Sequence, residues 1–182
     1  LDWRVIRFLP RFVQKVQSMQ KIILPPLPLT GGCQCGLIRY RMRALPLVFY
    51  LCHCTECQRH TSSAFGESLR FDREHLDVDP GLRCIRRLSD TGKEREGWFC
   101  PDCGVRIWHG TAGSAEINLK AGTLDDTSWL VPAGHIWTRS KQPFIKIACD
   151  ELHYETQPAD AYAALKLRWQ AMTGETDQAK TA

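Results

Sequence analysis

Seven cysteines gathered into three short clusters constrain this 182-residue chain more than any other feature. They read Cys33-x-Cys35, Cys52-x-Cys54-x-x-Cys57 and Cys100-x-x-Cys103, and two further cysteines, Cys84 and Cys149, stand alone. A total of nine is odd, and the spacing within clusters is too close for a disulfide framework. The pattern points instead to thiolates gripping a metal in a reducing, cytoplasmic setting. Two ligands from one turn and two from another build a closed tetrahedral zinc site, with Zn–S bonds of about 2.3 Å. Gly31, Gly32, Gly36 and Gly104 flank the first and third clusters, where the backbone must curl to bring sulfurs inward. Pairing Cys33 and Cys35 with Cys100 and Cys103 completes four thiolates and staples the chain across a long loop.

The middle cluster then has three ligands, Cys52, Cys54 and Cys57. Three protein ligands and one free position are the arrangement of a catalytic zinc, whereas structural sites are closed. The expectation is two zinc ions per chain, one closed and one open to a small thiol. Cys84, Cys149, His53 or His60 would close the second site if any of them reached the metal. Two structural zincs in a non-catalytic scaffold are the competing reading. Cys84 and Cys149 are expected to be buried inert thiols, and His53 to turn away from the ligands that flank it. Trp98, Trp108, Trp129 and Trp137 are read as core.

Composition narrows the remaining classes. Hydrophobic residues make up 43% and charged residues 24%, as in a soluble globular domain. The net charge of +4 is spread out, giving no basic face for nucleic acid, and no apolar run approaches a membrane span. Residues 1–17 carry Arg4, Arg7, Arg11 and Lys15 among apolar residues, interrupted by Pro10. A transit or membrane-surface segment is one reading, and an upstream extension ahead of Met19 the preferred one.

Short strands are expected over 37–43, 47–51, 64–71, 83–88, 94–99, 105–109, 115–120 and 144–148, with a helical turn over 55–60. Pro158 begins a helix whose apolar face holds Ala161, Tyr162, Leu165, Trp169 and Met172, and Gly174 ends it. The class is mainly β with a C-terminal helix. Residues 1–28 form an extension outside the fold, 29–157 a zinc-binding domain and 158–182 the helix and tail. An exposed strand edge in so small a β domain also leaves a homodimer open.

The run Gly31-Gly32-Cys33-Gln34-Cys35-Gly36-Leu37-Ile38-Arg39-Tyr40, then Cys52-His53-Cys54-Thr55-Glu56-Cys57-Gln58-Arg59, then Phe99-Cys100-Pro101-Asp102-Cys103-Gly104, resembles the glutathione-dependent formaldehyde-activating family, which includes the centromere protein V domain. Gly122-Thr123-Leu124-Asp125-Asp126 and His135-Ile136-Trp137 are similar to that family's later landmarks. The resemblance implies a β-tent fold of small antiparallel sheets. It implies a structural zinc on Cys33, Cys35, Cys100 and Cys103 and a catalytic zinc on Cys52, Cys54 and Cys57. It further implies carbon–sulfur lyase chemistry joining glutathione and formaldehyde into S-hydroxymethylglutathione. His53 stands where members nearest the founding enzyme carry a small residue, which leaves a different thiol or electrophile in view. Arg59, Arg106, Arg139 and Lys141 are the candidates for holding glutathione's two carboxylates.

Overall fold

A computed structural model describes residues 20–89 and 92–174; the basic segment 1–17 lies outside them. The short β-branched and aromatic runs form ten strands among the described residues. Three of them, β1 (Leu29–Gly32), β2 (Arg39–Met42) and β5 (Leu76–Val78), make an antiparallel sheet in the order β1-β2-β5. The other seven are β3 (Val48–Cys52), β4 (Gly66–Asp72), β6 (Arg83–Leu88), β7 (Glu94–Phe99), β8 (Arg106–Thr111), β9 (Glu116–Leu119) and β10 (His135–Ile136). They lie in the order β10-β3-β4-β9-β8-β7-β6. All pairings are antiparallel except β10 on β3. The mainly β architecture is the one the sequence implies, here in two sheets.

Two faces of the large sheet divide the labour. Phe49, Leu69, Leu119 and Trp108 stand opposite one another across β3, β4, β9 and β8, and all are buried. The second helix, α2 (Ala163–Thr173), covers this core with Leu165, Trp169 and Met172, each no more than 2% exposed. Trp169 meets Phe49 edge-on at 6.4 Å, and its indole N–H donates to the Pro46 carbonyl at 3.2 Å. Helix α2 starts five residues after Pro158, because the Asp160 carboxylate accepts from the backbone N–H of Tyr162 and Ala164. It ends as expected at Gly174, at φ +77°.

Three further differences have physical causes. Phe144–Ala148, expected as a strand, is irregular, since the sheet edge beside β3 is filled by β10. Strands β1, β5 and β10, of two to four residues, are too short to show periodicity. Within residues 1–28, Ile22 is buried and bonds through its N–H to the Met172 carbonyl at 2.9 Å. No helix among the described residues is long and apolar enough to cross a membrane.

The segment Gly122 to Asp126 stitches the two sheets together. Its Thr123 hydroxyl lies 2.9 Å from the Tyr40 hydroxyl, Asp125 accepts from Thr30 at 2.6 Å, and Arg39 pairs with the same carboxylate.

Candidate metal centres and cavity

The first and third cysteine clusters occupy two hairpin turns, one per sheet. Cys33 and Cys35 lie in the β1–β2 turn; Cys100 and Cys103 lie in the β7–β8 turn. Gly36 at φ +81° and Gly104 at φ +72° let each turn fold back, conformations that a side chain disfavours. All four Sγ atoms lie within 4.8 Å of one another, with Cys33–Cys35 at 3.4 Å and Cys35–Cys100 at 3.7 Å. A tetrahedral set at a Zn–S distance of about 2.3 Å spaces its sulfurs about 3.8 Å apart, so this group could hold that metal. The Ile38 N–H donates to Cys33 Sγ at 3.2 Å, and N–H groups of Val105 and Cys35 bring the Cys103 thiol down to about 6.

The middle cluster is built differently. Cys52 closes β3; Cys54 caps helix α1 (Thr55–Thr61), its sulfur accepting from the Cys57 N–H at 3.3 Å; Cys57 sits in the first turn. Their three Sγ atoms also lie within 4.8 Å of one another and could hold a metal. Among the described residues no further Cys, His, Asp or Glu joins the group. Cys84 is half-buried and Cys149 exposed, so neither is the fully buried thiol expected, and Cys149 departs furthest, in an irregular turn. His53 is fully buried between Phe65 and His135, its Nε2 at 2.9 Å from His135 Nδ1. Thus the His135-Ile136 landmark backs the middle cluster from β10.

The middle cluster faces a cavity of about 320 Å³. Its floor is the polar face of the large sheet, where Tyr50, Ser68, Arg70, Asn118 and His109 come from four adjacent strands. Trp137 and Tyr162 also line it, both in left-handed backbone at φ +60° and +72°. Such strain in bulky residues costs on the order of 1–3 kcal/mol each and persists where the surroundings hold it. Trp137 carries Arg139 over its ring at 4.9 Å; it is therefore a wall of the cavity, while Trp108 and Trp129 are core as expected.

Five arginines (Arg70, Arg87, Arg95, Arg106 and Arg139) and two glutamates, Glu56 and Glu116, line this space. Of the four expected carboxylate partners, Arg106 and Arg139 are in the cavity. Arg59 is exposed elsewhere on α1, and Lys141 donates to the Ile145 carbonyl at 3.2 Å. The other three arginines escaped the sequence reading, since only strand register reveals that they share a face.

Positive charge bears on the thiols. Hydrogen bonds from Cys52 and Cys54 hold the Cys57 thiol well below its usual range, and Lys120 and Arg106 add to this. Burial lowers Lys120 to about 8 and His60 to about 4, and drives His109 well below its ordinary value. The histidines here are neutral near pH 7, and Arg106, Lys120 and Arg87 are cations beside the cluster.

A crystal structure of a Rhodobacter sphaeroides protein is similar over 53% of this chain and 88% of that one, at 21% identity and a TM-score of 0.43. No curated protein sequence matches the chain. The family model for the glutathione-dependent formaldehyde-activating enzyme matches residues 28–140, a span that holds all seven clustered cysteines and most of the cavity, and the chain belongs to that family.

Proposed function

We propose that the protein is a zinc-dependent carbon–sulfur lyase acting on a small thiol adduct, most like the synthase that joins glutathione and formaldehyde. The observation that carries this reading is the contrast between the clusters: four thiols stand at hairpin turns, and three open onto a polar, arginine-lined cavity. In this reading Cys33, Cys35, Cys100 and Cys103 hold a structural zinc, and Cys52, Cys54 and Cys57 hold a catalytic one. The donor sets fit, since thiolate-only ligation favours zinc. When bound at the middle cluster, the metal supplies Lewis acidity that lowers the pKa of a substrate thiol.

The chain's residues do the rest. Cys54 at the helix cap and Cys57 one turn on are fixed by the backbone, so the cluster meets the cavity at a set angle. The walls formed by Trp137 and Tyr162 limit water around the reacting carbon. In the forward reaction the sulfur attacks the formaldehyde carbon, a C–S bond forms, the carbonyl π bond breaks, and the thiol proton ends on the former carbonyl oxygen. The reverse is lysis. Reduced thiolates of this kind fit a cytoplasmic protein.

The test is adduct formation from millimolar glutathione and formaldehyde, followed by carbon NMR with zinc-loaded protein. Turnover above the uncatalysed rate that is lost in Cys54→Ser is expected. A rate equal to the uncatalysed one, in protein holding two zincs, would sink the lyase reading in favour of a zinc scaffold.

A further inference from the structure

Three of the cavity's arginines are already engaged. Glu56 grips Arg87 through two bonds of 2.8 Å, Glu116 pairs with Arg70, and Arg95 reaches the Thr111 hydroxyl. Arg106 differs. It is only 9% exposed, and its Nε and Nη2 are buried without any hydrogen-bond partner. Those two atoms form one lateral edge of the guanidinium, whose parallel N–H groups match the two oxygens of a carboxylate. A buried charged donor left unpaired is costly, so this edge is built for an acceptor that the chain does not provide. The charges of Cys57 and Cys54 bear on Arg106, yet neither sulfur accepts a hydrogen bond from it.

The backbone places Arg106 deliberately. Strict alternation along β8 would put it on the face of Trp108, inside the apolar core. The pairing of β7 with β8 slips between Trp98 and Phe99, so that Trp98 opposes Trp108 while Phe99 opposes Arg106. The slip turns Arg106 to the cavity face that His109 and Thr111 line. Bulges that re-aim one side chain are frequent beside binding sites. His109 adds a third unpaired buried atom, Nδ1, on that face.

We propose that the lateral edge of Arg106 binds a carboxylate of the substrate and selects acidic thiols over neutral ones. The assignment rests on the thiol-binding reading above for its biological meaning, but the carboxylate site can be tested apart from it. S-methylglutathione keeps both carboxylates and has no free thiol. Titrated calorimetrically into zinc-loaded protein, it binds the wild type, and Arg106→Met weakens it by about 10- to 100-fold. Arg106→Lys keeps the charge without the planar edge and loses about tenfold or more. Equal affinity in all three, or no binding to the wild type, overturns the carboxylate site.

Cobalt in place of zinc separates the two ideas. If glutathione leaves the sulfur-to-cobalt absorption unchanged while S-methylglutathione binding still depends on Arg106, the lyase reading falls and the carboxylate site stands. If glutathione shifts the band with the same affinity in wild type and Arg106→Met, the carboxylate site falls and the thiol reading stands. Should Arg106→Met fail to fold, the wild type alone decides. 3-Mercaptopropionate binding about tenfold or more tightly than 2-mercaptoethanol supports the carboxylate site, and equal affinities overturn it.

Discussion

The two thiol clusters use the same ligand and differ in what the chain does around them. The four-thiol group joins hairpin turns of separate sheets, linking Cys35 to Cys100 across 65 residues. The three-thiol group spans one strand end and one helical turn, from Cys52 to Cys57, so a metal there closes almost no chain. Loop closure is where a cross-link stabilises a fold, and a cavity is where a ligand becomes reactive. The four-thiol group has the first of these, and the three-thiol group lines the polar cavity. In the proposed reading, topology, more than ligand chemistry, separates a staple from a reagent.

The sharpest way to break that contrast is to remove one thiol from each side. A cross-link closing about 65 residues contributes on the order of 4 kcal/mol through chain entropy alone. Cys100→Ser is therefore expected to cost at least that much, enough to leave much of the protein unfolded at 37 °C. Cys54→Ser should behave otherwise. Cys54 is the N-cap of α1, and serine is a favoured N-cap residue, so the helix keeps its first-turn bond. A loss within about 1 kcal/mol, one zinc instead of two, and no adduct formation are expected. Thermal unfolding with elemental analysis reads both. Equal destabilisation by the two substitutions would mean that the three-thiol cluster is also a staple.

Much of this contrast is legible in the order of the amino acids. The C-x-C and C-x-x-C spacings, with glycines beside the first and third, separate the two sets of sulfurs by local geometry alone. The mainly β class and the Gly174 helix end follow from alternation and capping in the same way. What the sequence hides is register. Arg70, Arg87 and Arg95 read as scattered surface charges, and only the pairings across β4, β6, β7, β8 and β9 put them on one face. Arg106 is a candidate from the sequence, yet its place on that face is not legible there, because strict alternation assigns it to the core and a bulge reverses it. The pattern of Phe144 to Ala148 misleads for a related reason: alternation shows that a segment can pair, not that an edge is free.

A smaller perturbation sharpens the comparison without touching a ligand. Gly66 stands opposite Cys52 in the β3–β4 pair, and a Cβ there would lie 3.0 Å from Cys57 Cβ and 3.2 Å from its sulfur. Gly66→Ala thus presses on the three-thiol cluster, at a cost of about 1–2 kcal/mol as α1 shifts. Gly104→Ala is its counterpart: the methyl meets nothing within 4 Å, but φ of +72° costs about 1 kcal/mol. Competition with a chromophoric chelator should release one zinc more readily in the first variant and leave the other zinc unchanged. Faster release of both metals would show that the clusters are mechanically coupled.

The smallest effect concerns how α1 is held against the far edge of the sheet. Glu56, in its first turn, receives both Arg87 bonds from β6, and each side chain of the pair is about a third exposed. Solvent screening limits the contribution to at most about 1 kcal/mol. The Arg87 hydrogen bonds hold the Glu56 carboxyl below its usual range. Its stabilisation is therefore complete above the unfolded value of about 4.3 and fades only as the pH falls through the lower folded value. In urea unfolding, the difference between wild type and Glu56→Gln should stay constant from pH 8 to about 5.5 and close only below about 4.3. Thiol protonation and metal loss act on both proteins and cancel in that difference. A difference that closes near pH 6 would assign the coupling to a histidine of the cavity instead, and α1 would then be held from the sheet floor, not from β6.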